Sequence, residues 1–251
     1  MGEFAKKLDQ VSRGAGRALG FGAAGKAKTL PMMLIISLPH ADTEMVMLAV
    51  SGKADAVLFD IKDPVGQVDS LSRAVSLLGK LPWGVRLPKA DNEVMNRLAE
   101  AGCDFVILGP EAAAGVLHDE EMGKVLEVDM SLKDGMVQVI DQLLVDALLF
   151  AEDKQSGSLT INQLLNYHRL SEFVNKPLLA SLPQELADLE VLLDAGIKGV
   201  VMELIGNDME VRLKEVQESI RNLTTSKKKL KGENHPVLPS VSSFDSGNDG
   251  Y

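Results

Sequence analysis

ADAVLFD, at residues 54–60, is the stretch on which the fold turns. A small residue and an aspartate lead into a run of apolar side chains too short for a helix and rich enough to be buried on both faces. The same outline returns as CDFVILG at 103–109, VDALLFA at 145–151 and IKGVVME at 197–203. Between these lie four more short apolar runs, and three of them end in Leu-Pro, at Leu38-Pro39, Leu87-Pro88 and Leu182-Pro183. Continuous apolar runs of this length are the signature of strands covered on both sides, as in parallel sheets flanked by helices. The expected strands are 33–38, 55–61, 83–87, 103–109, 124–128, 145–151, 177–182 and 197–203. Helices are expected between and after them, near 42–51, 66–79, 91–101, 110–116, 133–143, 160–174, 184–195 and 207–222. Asp42, Asp91 and Thr160 stand at N-cap positions, and Gly102 and Gly196 stand where a helix ends in a left-handed residue. Eight strands alternating with helices imply an α/β fold with a single (β/α)8 TIM-type barrel.

The chain of 251 residues suits one such barrel. The expected organisation is a basic, flexible N-terminal arm at 1–30, the barrel at 31–223 and a disordered C-terminal tail at 224–251. Net charge is −10, with +4 on residues 1–30 and +2 on 221–251, so the body carries −16. An acidic body argues against nucleic acid as a partner, because phosphate contacts need clustered Lys and Arg. In the arm, Phe4, Leu8, Val11, Ala15 and Leu19 recur at helical spacing. That pattern fits a weak amphipathic helix, either a contact with a membrane surface or a segment packed on the barrel or on another protein. The lone Cys103 opens an expected strand, which reads as a core thiol and excludes an intramolecular disulfide. Without an apolar run of bilayer length or a secretory leader pattern, the expected compartment is the cytoplasm.

Barrels of this kind do chemistry at the C-terminal ends of the strands. Aligning the repeats places Ser37, Arg86, Glu127 and Ser181 in one set at that mouth, and Asp60, Gly109, Ala151 and Glu203 in the other. His40, Lys62, Asp63, Lys89, Glu111, Asp129, Glu152, Asp153 and Lys154 follow just beyond. Three chemistries fit. Paired carboxylates could hold Mg²⁺ or Mn²⁺. The planar fork of Arg86 could clamp a substrate carboxylate. A desolvated Lys62 or Lys154 could form a Schiff base. A wet rim collects charges in any barrel, which is the plainer account of each residue taken alone. There is no Gly-rich phosphate loop after the seventh or eighth strand, where Pro183-Gln184-Glu185 and Gly206-Asn207-Asp208 stand, so a phosphorylated ligand is disfavoured. No zinc spacing, nucleophile elbow or P-loop occurs in the sequence, and His118 and His168 read as structural or solvated.

Three longer stretches carry a resemblance. ADAVLFDIKDP (54–64), GVRLPKADNEVMNRLAEAGCDFVILGP (84–110) and VLEVDMSLKDGMVQVIDQLLVDALLFAED (125–153) are similar to the metal-dependent 2-oxo acid aldolases and citrate lyase-like barrels of the phosphoenolpyruvate/pyruvate superfamily. The resemblance implies Arg86 as the substrate-binding arginine, with Asp60 and Glu203 beside it. It implies Asp129, or Glu127, and Asp153 as metal ligands. The family's catalytic His after the second strand is missing; Lys62-Asp63 stands there, so His40 or Lys62 would replace the base. Its second metal ligand follows Gly-Pro-x-Asp-Leu, where this chain reads Ala151-Glu152-Asp153-Lys154-Gln155. Two expectations follow. One is a binding or scaffold protein with an eroded aldolase-type site that takes a small carboxylate. The other is a metal-dependent carbon–carbon lyase acting on a small 2-oxo acid.

Overall fold

The computed structural model describes residues 2–13, 30–64, 66–129, 132–150, 157–183, 185, 188–206 and 208–223. The expected tail at 224–251 and the arm from 14 to 29 therefore lie outside the described residues. Eight strands run β1 (Met33–Leu38), β2 (Ala56–Phe59), β3 (Trp83–Leu87), β4 (Phe105–Leu108), β5 (Gly123–Val128), β6 (Ala147–Phe150), β7 (Leu178–Ser181) and β8 (Ile197–Glu203). Each pairs in parallel with its sequence neighbours, and β8 pairs with β1, so the sheet closes as a barrel in chain order. The helices are α1 (Glu3–Ser12), α2 (Thr43–Ser51), α3 (Val68–Ser76), α4 (Asn92–Glu100), α5 (Asp134–Ile140), α6 (Ile161–Phe173), α7 (Leu189–Asp194) and α8 (Met209–Asn222). No described helix is long and apolar enough to cross a membrane.

The repeat explains how two of the even strands, β2 and β6, are seated. Asp55 and Asp146, second in their repeats, accept hydrogen bonds from the backbone N–H of the preceding odd strand: Leu34 N at 2.9 Å and Lys124 N at 2.8 Å. Their own N–H groups donate back to the carbonyls of Leu34 and Lys124. Each aspartate thus pairs a strand end that would otherwise leave a backbone donor unsatisfied. Gly102 (φ 80°) and Gly196 (φ 93°) make the left-handed turns into β4 and β8, as their position after a helix requires. Asp42, Asp91 and Thr160 cap their helices as expected, Thr160 in a reciprocal capping box with Gln163.

Asp104, second in its repeat, has a different task. Its carboxylate accepts from Glu3 N at 2.8 Å and Phe4 N at 2.6 Å, capping α1 from across the chain. A Cβ on Gly2 would stand 2.6 Å from that carboxylate, so a larger residue there would push the Asp104 side chain away from the N–H groups it caps. Held there, α1 closes the foot of the barrel. Phe4 is fully buried and stacks on Phe105 with ring centroids 4.0 Å apart, and Leu8 is 1% exposed. The foot accepts a ring because Gly84, Gly123, Ala56 and Ala147 leave little side chain inside it. Phe4 and Leu8 of α1 are therefore part of the barrel interior.

One element departs from expectation. The helix expected at 110–116 is a short 3₁₀ turn at Ala114–His118. Pro110 opens the segment and Gly115 interrupts it, and neither supports a second helical turn. The helix layer is consequently thin over β4 and β5.

Candidate functional site

The inner wall is read from alternation. Met33, Ile35, Ala56, Leu58, Phe105, Ile107, Val125, Ala147, Leu149, Leu179 and Val201 form the barrel interior with Phe4 and Leu8. Side chains two positions on share the face. Ser37, Asp60, Gly109, Glu127, Ser181 and Glu203 thus follow at the C-terminal mouth. On β3, Trp83, Val85 and Leu87 belong to the outer core, so Gly84 and Arg86 point inward.

The mouth brings three of the expected residues together. Arg86 Nη1 donates to Glu127 Oε1 at 3.1 Å, and Arg86 Nε lies 3.3 Å from Asp60 Oδ2. The second contact is between charges only, since Nε lacks an aligned acceptor. Arg86 and Glu127 are largely buried, whereas the Asp60 side chain is 39% exposed. Asp60 sits on the neighbouring strand, but Glu127 is two strands away. Gly109 at the end of β4 makes that reach feasible, because no side chain stands between β3 and β5. Gly109 is itself required by packing: a Cβ there would lie 2.6 Å from the Pro88 carbonyl oxygen. The triad carries a formal charge of −1, so the guanidinium is more than neutralised before any ligand arrives.

The other expected residues are placed differently. His40 and Lys62 are exposed, and neither makes a hydrogen bond or ion pair among the described residues. Lys89 and Glu111 pair with each other at 3.1 Å on the solvent side. Asp129 is exposed just beyond β5. Glu203 is half-buried, and its charge acts on Arg212, whose guanidinium burial holds below its usual pKa and which donates to the Pro183 carbonyl at 2.5 Å. Asp153, with Ala151, Glu152 and Lys154, lies outside the described residues. Among the described residues, no three of His, Cys, Asp and Glu converge as a metal would require. Glu127, one of the ligands implied by the resemblance, already has an oxygen engaged by Arg86. The residues described thus do not by themselves build the implied Mg²⁺ or Mn²⁺ site.

Sequence reasoning missed a second feature of this face. Beside the mouth, a cavity of about 370 Å³ runs between the 3₁₀ turn and α5, with Gly109, Glu127 and Asp129 at its edge and apolar side chains elsewhere. The only sequence signal for it was the Pro110–Gly115 spacing that stops a fourth helix.

Comparison with known proteins supports the fold alone. The tryptophan synthase α-subunit of Pyrococcus furiosus, in two variant structures, is 13% and 14% identical to this chain with TM-scores of 0.51 and 0.53. These matches cover 76% and 75% of this chain and 96% of the α-subunit. Tryptophan synthase from M. tuberculosis, in an open form, is 14% identical with a TM-score of 0.56, covering 75% of this chain and 91% of that one. No protein-family model and no curated protein matches the chain. The shared architecture is the (β/α)8 barrel, and the likeness to 2-oxo acid aldolases rests on the sequence motifs.

Proposed function

We propose that the chain is a barrel protein that binds a small molecule at its mouth and has lost the aldolase-type chemistry its motifs resemble, working as a binding or scaffold protein. One observation carries this reading: Arg86 is held between Asp60 and Glu127. In the aldolase arrangement that arginine faces the substrate carboxylate and the acid on β5 holds metal. Here each is the other's partner. A 2-oxo acid approaching Arg86 would meet the net negative charge of Asp60 and Glu127 at close range.

Thermal melting with millimolar Mg²⁺ or Mn²⁺, with and without pyruvate, tests this. A ligand at a hundred times its Kd stabilises the native state by about 2.7 kcal/mol. In a protein of this size that raises Tm by roughly 5–11 °C. The expected shift is below about 1 °C, within the scatter such melts show against that scale. A metal-dependent rise of several degrees, or metal-dependent release of pyruvate from a 4-hydroxy-2-oxo acid, would overturn the proposal.

The second reading is a carbon–carbon lyase. The feature in its favour is that Glu127 and Asp60 stand on either side of Arg86, with Asp129 two residues beyond Glu127 at the end of β5. That puts acidic groups where a proton donor or a hard cation would be wanted.

A further inference from the structure

Resting on the reading of the mouth as a binding site, we infer that the cavity beside it is a specificity pocket for the apolar part of the ligand. The ligand class is an aryl-alkyl or branched-alkyl molecule with a cationic or hydrogen-bond-donating head. The first argument is a gap in the helix layer. Every outward-facing apolar strand residue that is described is buried, except Leu126 on β5, which is only partly so. Leu126 is half-exposed because the 3₁₀ turn at Ala114–His118 replaces the helix that would cover it. The space left behind is walled by Leu108, Ala113, Leu126, Leu132 and Ile140, with Met136 at its rim.

Continuity with the mouth is the second argument. Gly109 and Glu127 line this cavity, and Glu127 also receives the Arg86 hydrogen bond. A molecule seated between Leu126 and Met136 therefore has Glu127 and Asp129 at the end of β5 as its charged neighbours. Size and lining agree with this: about 370 Å³ lies within the range of small-molecule sites, which are mostly apolar with a few polar groups at one end. Charge selects the head group. Glu127 and Asp129 are the charged groups that line it, and at the mouth Arg86 is outnumbered by the carboxylates of Asp60 and Glu127. A carboxylate head would meet like charge, whereas an ammonium would find acceptors.

Methyl NMR of the full chain can test this with two isosteric probes, 4-phenylbutylamine and 4-phenylbutyrate. The expected result is saturable movement of the Met136, Leu126 and Leu132 methyl signals with the amine, and binding at least tenfold weaker for the carboxylate. Two variants check the location. Ala113→Trp puts a ring into the cavity from an exposed position, and Met136→Lys puts a cation at a rim residue that is 56% exposed. Both should weaken amine binding at least tenfold while leaving Tm close to that of the parent. Methyl shifts elsewhere, equal binding of the two probes, or unaltered binding in both variants would overturn the pocket. So would concentration-dependent shifts of the same methyls without any probe, since a second copy of the chain would then be the occupant. Neither probe is a 2-oxo acid and no metal is added, so failure here is distinct from survival of aldolase chemistry.

Discussion

Replacing Phe4 by Ala should destabilise the whole barrel, although residue 4 precedes the first strand by nearly thirty positions. Phe4 has no exposed surface and stacks on Phe105 at 4.0 Å with the rings 14° from parallel. Truncating a buried Phe costs about 3–5 kcal/mol, and an aromatic pair adds about 0.5–1.5 kcal/mol beyond burial. Relaxation limits the loss here, because α1 lies outside the closed sheet and can leave the barrel once its anchor is gone. The ceiling is then the docking free energy of α1. That comprises burial of Phe4 and Leu8, the two bonds to Asp104, and the bond from Lys7 Nζ to the Asp55 carbonyl. The expected loss is about 3–4 kcal/mol, which lowers Tm by roughly 6–16 °C. Circular dichroism during thermal and urea unfolding reads it directly. The double variant Phe4→Ala/Leu8→Ala should lose less than the sum of the single losses, since the second truncation acts on a helix already undocked. Asp9→Ala, which removes only an exposed pair with Arg13, is the control and should stay within about 0.5 kcal/mol. If Phe4→Ala matches that control, α1 does not close the barrel in solution and the account of the foot is wrong.

Gly84→Ala should cost up to about 3 kcal/mol, because its Cβ would stand 2.3 Å from the Phe105 carbonyl oxygen and 2.7 Å from its ring; a melt within 1 °C of the parent would refute the packing. Cys103 is buried with its thiol pushed up to about 12, so Ellman's reagent at pH 8 should label it only as fast as the protein unfolds, and rapid native labelling would contradict that placement. Asp55 should make stability depend on pH with an uncommon sign. Burial raises its pKa above the unfolded value, so the folded state holds the proton more readily and Asp55 costs stability once pH rises through its folded pKa. Asp55→Asn should therefore gain on the parent most at neutral pH and lose that advantage as pH falls through the raised value; an advantage that grows on acidification would refute it.

Much of the barrel was legible because its strands are buried on both faces, which makes them short continuous apolar runs that no helix pattern imitates. The repeated aspartate was visible too, but its role was not. Asp55, Asp104 and Asp146 hold equivalent places in the sequence, yet only the carboxylates of Asp55 and Asp146 bond the neighbouring strand, while that of Asp104 caps α1. That difference depends on where residues 2–4 lie in space. The same limit applies at the mouth. Arg86 and Asp60 were legible as neighbours because adjacent strands pair in order. Glu127 was legible as a mouth residue but not as the partner of Arg86, since that contact spans β4 and depends on Gly109 having no side chain. The missing fourth helix was least legible, because a run of alanines favours helix locally while Pro110 and Gly115 leave room for only five residues of 3₁₀ turn.

The two ends of the barrel bear on how a ligand can be accommodated at all. The foot is filled by Phe4 and Leu8, and the middle layers below the triad by the buried side chains of Ile35, Leu58, Ile107, Val125, Leu149, Leu179 and Val201. Anything bound at the mouth must rest on Asp60, Arg86 and Glu127 from above and extend sideways. The described wall is open sideways over β4 and β5, where the helix layer thins. An anion resting on the triad meets a net formal charge of −1, and any pose that parted Arg86 from Glu127, whose side chains are only 14% and 18% exposed, would leave a largely buried carboxylate without its counter-charge. A cation or a neutral donor meets no such cost, because it adds a partner to carboxylates already in place. The geometry that disables a carboxylate clamp is therefore the same geometry that suits the opposite head group, with the apolar cavity beside Glu127 as the direction in which the rest of the molecule would lie.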